Sequence, residues 1–324
     1  MINNKITYYL MKYFFLLFLF SFNYLSAQSD EKVNRNLSLV DSIYQQDYEK
    51  AIELLSSLLD ENFTELRYFE KLIDIYIENE LYEVALGYHD IIIDLDPENP
   101  RRYTDRAILL KQLHRFKLSI LDYTKALNLS AGDDTLTGEL YNDRGTSKIQ
   151  LRDFEGAYRD ISRSISYDST QIHRLSNFAG VLMQMKKYEE AKITLEKVIQ
   201  LDSLFSGGYA NLGFLYNETE NYTLAIEYFN KAIQAEPTEG TSYNNRGFAK
   251  YKLGLFDEAL KDINQSLVLY PTNAYAYKNR ALVFFELKEE KKACGDLNTA
   301  KNLDFTRMYG NEVEILIKEK CRKS

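Results

Sequence analysis

Residues 243–271 read YNNRGFAKYKLGLFDEALKDINQSLVLYP, and this stretch decides the fold. It holds two amphipathic helical patterns in succession, closed by Pro271 just past the second, where a helix should stop. The same design lies immediately upstream. There Leu224, Ala225, Tyr228 and Ala232 keep the i, i+3, i+4 spacing of a helix face, and Asn217-Glu218-Thr219-Glu220-Asn221 forms the polar turn between the two helices.

Sliding the stretch by 34 residues brings the pattern back along nearly the whole chain. An aromatic residue three before an Ala recurs as Tyr48/Ala51, Tyr82/Ala85, Phe154/Ala157, Tyr188/Ala191, Tyr222/Ala225 and Phe256/Ala259, with Phe116/Ser119 and Glu290/Ala293 as weaker copies. Eight copies start near residues 32, 66, 100, 138, 172, 206, 240 and 274. One interval is 38 residues, and its four extra residues fall within 130–138, a Gly-, Asp- and Thr-containing stretch that predicts a longer loop. Pro97, Pro237 and Pro271 share one repeat position. Ala107, Gly145, Ala179, Gly213, Gly247 and Ala281 share another, on the first helix. Small side chains there and at the Ala of the second helix let the two helices approach closely. One hairpin cannot bury its apolar face alone, so such units stack in arrays.

In period, small residue, aromatic–Ala pair and closing Pro, residues 30–307 resemble tetratricopeptide repeat proteins. The resemblance implies an all-α chain, an α-α solenoid in which helical hairpins wind as a right-handed superhelix. Tyr103, Tyr141, Tyr209, Tyr243 and Tyr277 stand where the family usually has Trp. The repeats are expected at 32–65, 66–99, 100–137, 138–171, 172–205, 206–239, 240–273 and 274–307, within an array spanning 28–307. The first copy is the least regular, with Leu39 at the small position, and is read as a cap. Residues 308–324, carrying Val313, Leu316, Ile317 and Cys321, are expected to supply a C-terminal capping helix.

Four copies carry Arg one residue before the small position: Arg106, Arg144, Arg246 and Arg280. The same four carry Asp sixteen residues later: Asp122, Asp160, Asp262 and Asp296. The others pair Ser38, Leu72, Phe178 and Leu212 with Leu54, Tyr88, Thr194 and Tyr228. The correlation predicts a planar guanidinium–carboxylate pair inside each of the four hairpins, with a structural role. A solvated ladder of surface charges is the alternative.

Composition agrees with long helices. The chain has 324 residues, 45% hydrophobic and 27% charged, with only 14 Gly and 4 Pro. That excludes a disordered chain and a turn-rich β fold. Its net charge of -8 gives phosphate backbones nothing to bind, so nucleic acid is not an expected partner. Residues 1–27 have the form of a secretory signal peptide: Lys5 and Lys12, an apolar run over 13–25 too short to span a membrane, then Ser26 and Ala27. Cleavage would leave an exported protein, periplasmic or secreted, with no membrane span and a net charge of -10. An uncleaved leader would anchor it to the membrane instead. In an oxidising compartment the two cysteines, Cys294 and Cys321, can bridge; two separate thiols are the alternative.

Catalytic patterns are missing. His89, His114 and His173 fall at three different repeat positions, without metal-ligand spacing. Asp94, Asp96 and Glu98 alternate like the start of a calcium loop, but Asn99 replaces its Gly, so they read as an inter-repeat turn. No phosphate loop or nucleophile elbow is present. The expectation is a non-enzyme without cofactor or metal: a scaffold binding a protein or peptide partner. The resemblance places the first helices on a concave side and implies a groove of Phe214, Asn217, Asn244, Phe248, Tyr251, Tyr275, Lys278, Leu282 and Phe285. Its five rings crowd into the last three copies, whereas Asn142, Thr146, Ile149, Ser176, Gly180 and Met183 are smaller. Rings and amides of that kind suit an extended peptide or a partner helix; rings that pack against adjacent repeats as core are the alternative. The rival readings are a membrane-tethered assembly subunit with its leader retained and a non-catalytic subunit of an envelope enzyme complex.

Overall fold

The computed structural model describes residues 30–130 and 132–321. The signal-peptide reading of 1–27 and the last three residues of the capping segment lie outside them. Among the described residues there is no strand. The chain divides between Leu129 and Ser130 into two compact units.

The first unit holds α1 over residues 30–44, α2 (Tyr48–Glu61), α3 (Leu66–Glu78), α4 (Tyr82–Leu95), α5 (Pro100–Gln112) and α6 (Phe116–Leu129). The second holds α7 (Asp134–Gln150), α8 (Phe154–Tyr167), α9 (Ile172–Gln184), α10 (Tyr188–Leu201), α11 (Ser206–Glu218), α12 (Tyr222–Ala235), α13 (Gly240–Lys252), α14 (Phe256–Leu269), α15 (Ala274–Glu286), α16 (Glu290–Asn302), α17 (Phe305–Tyr309) and α18 (Glu312–Lys320). Successive helices pair as antiparallel hairpins. Within the second unit each hairpin packs on the next, first helix touching first helix from α7 through α15. This is an α-α solenoid, ended by α18 against α16.

Every hairpin turn from α3/α4 onward is made the same way. One residue takes a left-handed conformation: Glu80, His114, Arg152, Lys186, Glu220, Gly254 or Lys288. The next amide then donates back to the end of the first helix, as Asn221 N does to Tyr216 O at 2.8 Å, which satisfies carbonyls the helix leaves open. Only Gly254 adopts this backbone without steric cost. Second helices begin on caps such as Asp153, whose carboxylate accepts from Gly156 N at 2.9 Å, and Asn221, which accepts from Leu224 N.

The small residues make room for buried side chains on the second helix, Ala107 for Tyr123 among them. A methyl group on Gly145 would come within 2.6 Å of Ile161, on Gly247 within 2.6 Å of Ile263, and on Gly213 within 2.7 Å of Phe229. Ala179 and Ala281 lie instead in copies where Leu195 and Leu297 occupy the corresponding place on the second helix, and all four are fully buried. The first hairpin departs from the sequence expectation: Leu39 is 52% exposed, while Val40 is fully buried. The register slips by one residue in this copy, so that Val40 turns inward in place of Leu39, whereas Ile73 keeps the corresponding position of the second copy and is buried there.

Candidate functional site

Four hairpins place the guanidinium and the carboxylate face to face. Arg106 Nε and Nη2 donate to Asp122 at 2.8 and 2.7 Å, and Arg144 donates to Asp160 at the same distances. Arg246 reaches Asp262 at 2.7 and 2.6 Å, and Arg280 reaches Asp296 at 2.7 and 2.8 Å. The four carboxylates are buried. Each pair is thus a two-pronged, charge-assisted contact. The carboxylates hold the Arg106 and Arg280 guanidinium groups in their charged form by hydrogen bonding, against the opposing effect of burial.

Two further contacts of these arginines are invisible in the sequence correlation. The third nitrogen turns to the preceding hairpin. Arg106 Nη1 donates to Asp90, while Arg246 and Arg280 donate to Asn230 and Asn264 at 2.7 Å each. The guanidinium groups of Arg144, Arg246 and Arg280 lie 5.4–5.5 Å from the ring centres of Tyr141, Tyr243 and Tyr277, which stand where tetratricopeptide repeats usually have Trp. Lys148 and Lys250 join the same carboxylates at 2.7 and 2.9 Å. Where Leu72 and Leu212 replace Arg, Tyr88 and Tyr228 replace Asp and stack on Tyr76 and Tyr216 at 5.4 and 5.3 Å.

The groove residues form two groups. Phe248 lies 6.2 Å from Tyr251, and the Lys278 ammonium sits 5.9 Å over Phe248 and 5.2 Å over Tyr275. Tyr275 is the most exposed of the set at 37%. Phe214 and Leu282 are half-buried, and Phe214 packs against the buried clusters that include Leu212 and Ala225. Phe285 belongs to a second group, packed with Leu316 and Ile317 under Lys320. Part of each amide is engaged on a neighbouring helix, while Asn217 Oδ1 is buried with no partner among the described residues and Asn244 Nδ2 donates to Asn245 on its own helix. Asn217 Nδ2 donates to Asn245 O at 3.0 Å, and Asn244 Oδ1 accepts from Asn279 Nδ2 at 3.0 Å. Burial pushes the Tyr251 and Tyr275 hydroxyls up, so both stay protonated donors at neutral pH.

Two surface depressions lie in the first unit, one around residues 44–49 with Asn79 and one around Glu31, Lys32, Arg35 and Asn36; neither is lined by groove residues. Among the described residues no group of three or more His, Cys, Asp or Glu could hold a metal ion, and no helix is long and apolar enough to cross a membrane. His89 is buried in α4, His114 sits in a hairpin turn, and His173 packs edge-on against Phe205 at 5.5 Å. Cys294 and Cys321 are joined by a disulfide.

Residues 173–203 and 207–239 each match the sequence model of the tetratricopeptide repeat, in phase with α9–α10 and α11–α12. Human tetratricopeptide repeat protein 13 is 30% identical over 89 residues, which are 28% of this chain and 10% of that protein, so the chain spans about a tenth of that relative's length. A tetratricopeptide repeat protein from Parabacteroides merdae superposes with a TM-score of 0.67 at 18% identity, covering 78% of this chain and 99% of its own. The Cut9–Hcn1 structure of the APC/C gives 0.61 at 17% identity, over 88% of this chain and 55% of its own. The PilF structure from Pseudomonas aeruginosa gives 0.52 at 18% identity, over 68% of this chain and 95% of its own. The chain therefore carries tetratricopeptide repeats and has the helical solenoid fold of such proteins. Proteins built this way serve typically as non-catalytic scaffolds for protein or peptide partners.

Proposed function

We propose that this chain is an exported interaction scaffold, tetratricopeptide through all eight copies, that binds an extended peptide or a partner helix along α11, α13 and α15. The observation that carries this reading is the row Phe248, Tyr251 and Tyr275 with the Lys278 ammonium laid over two of its rings. Rings half-open to solvent gain by burying a partner's apolar side chains, and the Lys278 ammonium, paired with Glu312 in the fold, attracts a carboxylate or a carbonyl once that pair opens. The asparagines, engaged between helices, keep the row rigid, which lowers the ordering cost of binding. Export is supported by the reading of residues 1–27 and by the disulfide, which suits an oxidising compartment.

The test is photo-crosslinking in the native envelope fraction. A photoreactive residue at Tyr275 should capture a partner that the same residue at Ile193, 66% exposed on α10, does not. Phe248→Ala should abolish that capture while the helical circular dichroism stays unchanged. Equal capture at Ile193, or capture that survives Phe248→Ala, would move the binding surface elsewhere.

A further inference from the structure

The C-terminal segment lies against one end of the proposed groove. Phe305 is fully buried, and the Tyr309 ring stands 4.7 Å from that of Tyr275. Gly310, with φ 102°, then turns the chain into α18. At the start of α18, Glu312 pairs with Lys278 at 3.0 Å; near its end Lys320 lies 4.9 Å over the Phe285 ring. Lys278 is left only 5% exposed.

The hold of α18 is nevertheless slight. Of its nine residues only Val313 is buried, whereas α15 buries six and α16 four. A helix of this length does not stand alone in water and draws its stability from packing. The Lys278–Glu312 pair adds little, because Glu312 is half in solvent. What confines the far end is the Cys294–Cys321 disulfide, which ties the last turn of α18 to α16. Both cysteines are half-buried, so a small thiol has access to the bond.

We propose that residues 305–321 are a disulfide-locked latch over the Tyr275–Lys278–Phe285 end of the groove, which a dithiol reductant opens. One thiolate of the dithiol attacks a sulfur of the bridge, breaking the Cys294–Cys321 bond and forming a mixed disulfide. Its second thiolate then displaces that cysteine, so the reductant leaves as a disulfide. Two electrons and two protons pass to Cys294 and Cys321, which become thiols. The freed helix frays, and the Lys278 ammonium with its flanking rings is uncovered. The gating role rests on the groove reading above; the latch itself does not.

Hydrogen exchange and lysine acetylation on the full oxidised chain, with and without dithiothreitol, test this. Reduction should speed exchange of amides in α18 about tenfold or more, and raise acetylation of Lys278 by a similar factor, with α13 and α14 unchanged. Cys294→Ser with Cys321→Ser should match the reduced protein in plain buffer. Unchanged exchange in α18, or a Lys278 that stays unreactive after reduction, overturns the latch. Loss of protection throughout α15 and α16 overturns it too, making the bond a staple of the whole hairpin. If the latch opens but Tyr275 captures no partner in either redox state, the latch stands and the groove reading falls.

Discussion

His89 occupies a place that is otherwise apolar. The corresponding residues of the other second helices are Leu55, Tyr123, Ile161, Leu195, Phe229, Ile263 and Leu297, all fully buried. Burial, and next the charge of Arg106, push the imidazole down to about 4, so it is neutral in the fold. Unfolded, it would take up a proton near pH 6.5. Between these values the unfolded chain binds the extra proton, so this contribution to stability is complete above about pH 6.5 and is lost as pH falls toward 4, up to about 3 kcal/mol. Urea unfolding of His89→Leu should lack that part of the acid sensitivity which the natural chain shows; equal pH profiles would place His89 in contact with water. In the sequence this residue is one of three scattered histidines, and only its place in the repeat register, shared with those seven residues, announces its burial.

Between helices, the Arg–Asp pair and the Leu–Tyr pair are two solutions to one packing problem. Both fill the gap between the first and second helix of a hairpin, and the residue four beyond the Arg or Leu completes each. It is Lys250 beside Arg246 and Asp262, and Tyr216 beside Leu212 and Tyr228. Asp262→Ala leaves Arg246 and Lys250 facing each other without their carboxylate and should cost about 3–5 kcal/mol. Arg246→Leu, Lys250→Tyr and Asp262→Tyr together should recover most of it, since a well-packed apolar set commonly matches a buried ion pair. Chemical denaturation measures both, and a triple variant no more stable than Asp262→Ala would reject the equivalence. The sequence discloses the pairing through a correlation repeated in four copies at constant spacing. It does not disclose the slip at Leu39 and Val40, or the third bond of Arg106, Arg246 and Arg280, since both depend on how neighbouring helices meet. The proposed groove is legible in the sequence only as a set of repeat positions. That Phe285 packs under the C-terminal helix, and that Asn217 and Asn244 each engage part of the amide on a neighbouring helix, follows from contacts distant in sequence.

For the molecule as a whole, the address and the array make separate claims. Sequencing the amino terminus of protein recovered from the cell envelope should begin at Gln28; a chain that still begins at Met1 would favour the tethered assembly subunit. The periodic pattern made the solenoid legible because every hairpin repeats the same signals, whereas the division between Leu129 and Ser130 shows in the sequence only as four extra residues. The bonds from Arg246 to Asn230 and from Arg280 to Asn264 carry a consequence for how such an array comes apart. Each arginine rivets its own hairpin to the one before, so a hairpin that opens takes a fastening away from its neighbour. The joint between the α7/α8 and α9/α10 hairpins is fastened differently, by Phe178 tilted against Tyr158 at 5.3 Å and by Arg174 and Asn177 donating to Ser164 O and Asn142 Oδ1 at 3.3 Å each. Under tension or denaturant the riveted stretch from α11 to α16 should therefore yield as one block.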